Sequence, residues 1–309
     1  MILTLVRIIL MLSVTALPVR VCAGLSAVAL LSGCGALTGA SETNPRDVVA
    51  SFYPLAWVTE RVAGDDWTVT NLTNPGGEPH DLELSIAATA DLTSAALVVY
   101  LGGFQPAVDD AVDTNVEGAR LDAADVVELR PVAGAEDGDL DPHFWLDPLL
   151  MADLAGGMGD RLAELDPENA ATYRANADDL VADLEQIDAA YADGLTGCQR
   201  DLVVVSHDAF GYLARYGLHL EPIAGLSPDA EPTPAALAAL ADLIDAEGVT
   251  TVFSERLSSP ALAEMLATDL GVGAAVLDPL EGLTDETKGK DYLSLMEDNL
   301  SALEEANGC

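Results

Sequence analysis

Positive charge is scarce in this sequence: 13 Lys and Arg stand against 52 Asp and Glu in 309 residues, a formal net charge of −39. Proteins that hold nucleic acid gain affinity by neutralising phosphates with Lys and Arg, so that class is excluded. Lysine occurs only as Lys288 and Lys290, aromatics make up 5% of the chain, and there are four histidines. The apolar share is nevertheless 50%, too high for a disordered acidic tail and enough for a sizeable core, in one large domain or two compact lobes. Beyond the N-terminal stretch no unbroken apolar run reaches 18 residues, so no further membrane span is expected.

Acid is absent from residues 1–33, whose only charges are Arg7 and Arg20. An apolar stretch with positive charge near its start and small residues at its end reads as an export signal. It closes on Leu31-Ser32-Gly33-Cys34, which is similar to the bacterial lipobox, where the cysteine takes the lipid and becomes the first mature residue. A plain membrane anchor is the competing reading, but the run from Val21 to Gly33 is short against the roughly 20 residues a spanning helix needs. Met11 is an alternative start, with Arg20 as the basic region. Residues 1–33 are therefore expected to be a signal peptide and 34–45 a lipidated tether. Removing the signal leaves 11 basic and 52 acidic side chains, or −41.

Cysteine is equally sparse. With Cys22 in the signal and Cys34 as the lipid site, Cys198 and Cys309 remain. In an oxidising compartment such an isolated pair is expected as a disulfide pinning the C-terminus to the start of a C-terminal lobe, with two free thiols as the alternative.

From residue 46 onward, short β-branched runs alternate with helix-like stretches. Strands are expected at 48–52, 67–72, 97–101 and 126–129, with helices at 54–63, 85–95 and 105–114. The alternation recurs after Cys198, with strands at 202–205, 220–223, 250–253 and 274–277 and helices at 210–216, 234–247, 260–270 and 291–305. Such a pattern predicts βα units around a mainly parallel sheet in each half. Between the halves, Asp166 is placed to cap a helix with Pro167 in its first turn, and no Gly or Pro follows until Gly194. Tyr173, Ala177, Leu180, Leu184, Ile187 and Tyr191 recur at helical spacing and form one apolar face. The expected fold is α/β: an N-terminal lobe over 46–165, one long rigid connecting helix over 166–196, and a C-terminal lobe over 197–309. A stiff connector predicts only small lobe movements.

Three of the four histidines share a setting. His80 follows the second strand in Gly-Gly-Glu-Pro-His-Asp, His143 lies in Asp-Pro-His-Phe-Trp-Leu-Asp-Pro, and His207 directly follows the run Val203 to Ser206. Loops beyond strand C-terminal ends are where open α/β sheets bind ligands. A carboxylate stands close to each histidine in sequence (Asp81, Asp141, Asp208), and one accepting a ring N–H would free the other nitrogen for a metal. His219, inside an apolar strand, is read as packing. Three imidazoles need a fourth donor, for which Asp278 and Glu281 in Leu277-Asp278-Pro279-Leu280-Glu281-Gly282 are best placed and Glu255 next. Three nitrogens and one carboxylate suit tetrahedral Zn²⁺ better than Mn²⁺, which prefers more oxygen ligands.

Five motifs now stand in order: Pro79-His80-Asp81-Leu82-Glu83-Leu84, Asp141 to Pro148, Ser206-His207-Asp208-Ala209-Phe210-Gly211-Tyr212, Glu231-Pro232-Thr233-Pro234, and Asp278 to Gly282. Over about residues 46 to 309 the chain resembles the zinc and manganese substrate-binding lipoproteins of ABC transporters, the cluster A-I (cluster 9) family. The resemblance implies two (β/α) lobes joined by one long helix, with the metal in the interlobe cleft. It implies metal ligation by His80, His143 and His207, with Glu281 as the fourth ligand and Asp278 as the alternative. Histidine at 207 resembles the zinc branch, as does the Cys198 and Cys309 pair. It also implies an ABC permease with its ATPase as partners, a lipid anchor at Cys34, and a location on the extracellular or periplasmic side of the membrane. A monomer is expected.

One departure from the resemblance lies at 135–141, where many zinc members carry a histidine-rich loop and this chain has Ala-Glu-Asp-Gly-Asp-Leu-Asp. The stretch is read as gathering cations weakly without a second tight site, or as a solvated loop with no metal role. Competing functions are a zinc-dependent hydrolase, for which Glu255 is the only candidate base and no His-Glu-x-x-His spacing exists, and a manganese carrier or surface adhesin on the same fold.

Overall fold

Buried valines on both faces mark the centre of the first sheet. The computed structural model describes residues 46–132 and 140–309. Strands β1 (Asp47–Ala50), β2 (Thr68–Asn71), β3 (Leu97–Tyr100) and β4 (Ala119–Asp122) are all parallel, in the order β2-β1-β3-β4. Helices α1 (Tyr53–Ala63), α2 (Ile86–Ser94) and α3 (Pro106–Asn115) make the crossovers. Val48 and Val99 face one apolar cluster, with Phe52 and Trp57, while Val49 and Val98 face another, with Leu92, Val108 and Val112. Burial on both faces is what a parallel sheet covered by helices requires.

A short antiparallel pair, β5 (Arg130–Pro131) with β6 (Leu140–Asp141), leads into α4 (Pro148–Leu165) and α5 (Ala170–Gly194). The second lobe contains β7 (Leu202–Val205), β8 (His219–Pro222), β9 (Thr251–Ser254) and β10 (Gly273–Val276), again all parallel. Their order, β10-β9-β7-β8, repeats that of the first sheet: the first strand of each lobe sits between its second and third. Each sheet thus has a topological switch point, between β1 and β3 and between β7 and β9, where ligand crevices open. Helices α6 (Pro234–Glu247), α7 (Ala261–Leu270) and α8 (Tyr292–Asn307) complete this lobe.

Three expectations are corrected. The fourth strand is Ala119–Asp122, in register with β3 from Leu97↔Ala119 to Tyr100↔Asp122, and not 126–129. Val127 is instead spent on the core, and Val126 packs so close to Gly157 that a Cβ there would lie 2.7 Å from a Val126 methyl. The connecting helix starts at Ala170, not Asp166. Asp166 ends α4, and its Oδ2 accepts from Arg46 (2.7 Å), Asn169 Nδ2 (2.9 Å) and the Tyr173 hydroxyl (2.9 Å). His219 opens β8 exposed to solvent and does not pack.

The apolar face from Tyr173 to Tyr191 is buried throughout, as its spacing predicts. At 1.5 Å per residue α5 runs about 37 Å, lying along α4 and touching α1 and α8. The connector is thus one arm of a helical hairpin. The largest apolar cluster crosses from lobe to lobe, joining Phe52, Phe104 and Trp145 to Val203, Phe210, Phe253 and Leu277. Cys198 and Cys309 form the expected disulfide, beside backbone bonds from Gln199 and Arg200 to the Asn307 carbonyl. Among the described residues no helix is long and apolar enough to cross a membrane. The expectations for 1–45, Cys34 included, and for 135–139 of the acidic loop lie outside the described residues.

Candidate metal centre

Four separate segments each deliver one side chain to the cleft. His80 arrives on the long loop after β2, held where the Thr73 hydroxyl donates to the Ser51 carbonyl (2.8 Å) and Gln105 Nε2 to the Pro79 carbonyl (3.1 Å). Its ring stands edge-on to Phe104, 4.7 Å between centroids. His143 lies just past β6, where Asp141 Oδ1 accepts both its backbone N–H (3.0 Å) and its ring Nδ1–H (2.8 Å). His207 extends from the C-terminal end of β7, and Nδ1 lies 2.9 Å from each Glu255 oxygen.

Glu281 needs a tighter turn. Asp278 Oδ1 accepts the Leu280 N–H at 2.9 Å, and Asn299 brackets Asp278 by bonding to both its backbone N–H and its carbonyl. Leu280 then adopts φ 58°, the one positive φ outside glycine among the described residues. A left-handed leucine costs roughly 1–2 kcal/mol. Burial of its side chain and the surrounding hydrogen bonds offset that cost, and the kink aims Glu281 into the cleft.

Glu281 Oε1 lies 3.4 Å from Nε2 of His80, of His143 and of His207, and the His80 and His143 Nε2 atoms are themselves 3.4 Å apart. Each of the four residues offers a ligand atom within 4.8 Å of all the others. Zinc bonds of 2.0–2.1 Å in a tetrahedron imply donor separations of about 3.3–3.4 Å. His143, His207 and Glu281 are buried, whereas the His80 side chain keeps 12% exposure. His207 Nε2 and Glu281 Oε2, though buried, have no hydrogen-bond partner, a costly state unless a cation takes that place.

The electrostatics agree. Burial alone would raise the Glu281 carboxyl, but the imidazoles of His143, His207 and His80 gathered around it hold it well below the usual carboxylate range. Burial would lower His207, but its hydrogen bond to Glu255 and the nearby charge of Glu281 push it up to about 10. His143 is raised in the same way by Asp141 and Glu281. Glu78, beside the cluster, is pushed up to about 8 by burial and by the charge of Glu281. The centre of the cleft therefore favours positive charge.

All four residues expected as ligands are brought together. Asp278, the alternative, turns away to the loop backbone and to Arg256, 3.2 Å distant. Of the carboxylates expected behind the histidines, only Asp141 takes that place. No hydrogen bond joins Asp81 to His80 or Asp208 to His207 among the described residues; Glu255, 48 positions away in sequence, serves His207 instead. The only sequence signal for that role is a glutamate at the end of a strand in the second lobe. Glu255 thus accepts from both His207 Nδ1 and the Ser206 hydroxyl (2.7 Å).

Fold and cleft define a two-lobed α/β protein with a His₃–carboxylate cluster between the lobes. Residues 48–306 match the family described as "Zinc-uptake complex component A periplasmic", and the chain belongs to that family. It is 36% identical over 277 residues to the zinc-binding lipoprotein AdcA of Streptococcus pneumoniae, covering 84% of this chain and 55% of that one. The chain thus spans about half the length of the first curated relatives it matches. It is 31% identical over 300 residues to the high-affinity zinc uptake system protein ZnuA of Bacillus subtilis, covering 90% and 93% of the two chains. Among solved structures, Zn(II)-bound AdcA from Streptococcus pneumoniae matches with a TM-score of 0.74 at 36% identity, over 85% of this chain and 58% of that one. The laminin-binding protein Lmb of Streptococcus agalactiae, described as bifunctional with adhesin and metal-transporting activity, matches with a TM-score of 0.78 at 30% identity, over 84% and 99%.

Proposed function

We propose that this chain is the extracytoplasmic substrate-binding lipoprotein of an ABC importer, capturing Zn²⁺ with His80, His143, His207 and Glu281 and handing it to a permease driven by its ATPase. The carrying observation is one carboxylate oxygen lying 3.4 Å from each of three imidazole nitrogens, two of which are also 3.4 Å apart, a donor set that suits tetrahedral zinc and offers Mn²⁺ too few oxygens. Four protein donors close the site, as holding an ion requires; catalysis would need an open position. On this reading the protein is not an enzyme, acts as a monomer, and is tethered by lipid on Cys34 at the outer face of the membrane, where the permease sits. Membership of the zinc-uptake family and likeness to AdcA and ZnuA support it.

Titration calorimetry of the mature protein is expected to give one tight zinc site per chain. Alanine at His80, His143 or His207 should cost at least about tenfold in affinity, the lower end for disturbing metal coordination. Wild-type affinity in all three variants would end the proposal. A second tight site would show that the acidic loop does more than gather cations weakly. An adhesin role rests on the likeness to the laminin-binding relative alone and calls for a direct laminin-binding assay.

A further inference from the structure

We infer that Glu255 is the positioning residue for His207, fixing the ring so that Nε2 faces the cargo ion; the inference rests on the zinc-carrier reading. Both side chains are buried, and both Glu255 oxygens lie 2.9 Å from His207 Nδ1. An ionised carboxylate only accepts, so Nδ1 carries the proton and the Nε2 lone pair is left for a metal. Nε2 is the buried nitrogen without a hydrogen-bond partner. A second anchor fixes the carboxylate itself: the Ser206 hydroxyl donates to Oε1 at 2.7 Å.

The backbone explains why these residues meet. Strands β7 and β9 are neighbours at the switch point of the second sheet, with Val204 opposite Val252. Ser206 and His207 continue past the end of β7, as Glu255 continues past the end of β9, so the two ends emerge side by side. Arg256, the next residue, turns to Asp278 and Glu286, leaving Glu255 to His207 and Ser206. The arrangement matches Asp141 behind His143, with one difference. Asp141 is two residues from its histidine and braces it within one loop, whereas Glu255 ties its histidine to a second strand. The position of His207 thus depends on the sheet, and the charged acceptor makes its ring a stronger donor to the ion.

The test compares Glu255→Ala, Glu255→Gln and wild type by chelator competition for Zn²⁺ and by nitrogen-15 NMR of the zinc-loaded imidazoles. Glu255→Ala is expected to lose about 10- to 100-fold in zinc affinity, the range for removing a partner behind a metal ligand. Glu255→Gln keeps an oxygen that accepts the Nδ1–H and should lose less, preserving a slowly exchanging His207 Nδ1 proton that Glu255→Ala loses. A merely structural role would leave that resonance unmoved. Zinc binding by Glu255→Ala within about twofold of wild type, with the His207 resonances unchanged, would overturn the inference. If the alanine variant fails to fold, the glutamine variant decides: unchanged affinity overturns the inference, and a several-fold loss with the Nδ1 proton retained supports it. Wild-type protein that takes up no zinc would instead overturn the carrier reading as well.

Discussion

Trp145 of the first lobe donates its indole N–H to the carbonyl of Pro279 in the second, 2.7 Å away. The Trp145 carbonyl in turn accepts the Tyr292 hydroxyl from α8. Because Pro279 lies two residues before Glu281, this bond rests the carboxylate loop on the lobe that supplies His80 and His143. Ligand placement is thereby coupled across the lobe boundary.

Trp145→Phe should therefore weaken both fold and site. It leaves the Pro279 carbonyl without its donor, a loss of about 1–3 kcal/mol for a buried group. Urea unfolding of the metal-free protein is expected to show the loss, and calorimetry a weaker zinc affinity. An unchanged unfolding midpoint would show that the bond contributes nothing.

The two carboxylates of the last motif should separate by phenotype. Glu281→Gln removes the central charge and should weaken zinc binding at least about tenfold while the fold persists. Asp278→Asn can still accept the Leu280 N–H but loses its charge beside Arg256, so its main effect should fall on stability. Equal loss of zinc affinity in both variants would contradict this assignment.

Breaking the disulfide should cost stability and spare the metal. Cys198 and Cys309 close a loop spanning 111 positions, and the chain-entropy model gives up to roughly 4–5 kcal/mol for such a loop. Cys198→Ser with Cys309→Ser should unfold at lower denaturant yet keep one zinc site.

Asp166 gives a pH test. Hydrogen bonds from Asn169 and Tyr173, with the Arg46 charge, hold its carboxyl below the ordinary aspartate range. A depressed folded value means the stabilisation is present above the unfolded pKa and lost as pH falls through the folded one. The melting temperature of wild type should therefore exceed that of Asp166→Asn at neutral pH. The gap should shrink below about pH 4 and close in stronger acid. A gap that widens on acidification would refute the argument.

How much of this the sequence reveals follows from what each element depends on. The buried face of α5 is legible because its spacing is local. Strand β4, Ala-Arg-Leu-Asp, is not legible, because its strand character comes from pairing with β3 and not from its own residues. Helix α4 is hidden by Gly156, Gly157 and Gly159, which argue against a helix by propensity. Two of these glycines serve close approach: a Cβ at Gly157 would meet Val126 at 2.7 Å, and one at Gly159 would meet Ala177 at 2.9 Å. Within the site, the histidines and the last-motif carboxylates could be found from their settings and the family resemblance. The choice of Glu281 over Asp278 turns on the left-handed Leu280, and the brace on His207 on a contact between adjacent strands; neither leaves a local pattern.

The apolar cluster that runs from Phe52 through Trp145 to Phe253 has a thermodynamic consequence. Two lobes with separate cores could melt independently, whereas lobes that share one core lose the same contacts together. Calorimetry should record a single cooperative transition despite the two sheets. On the carrier reading, parting the halves would break that shared core, so release of the ion is expected to proceed through local movement of the loops that carry His80 and Glu281.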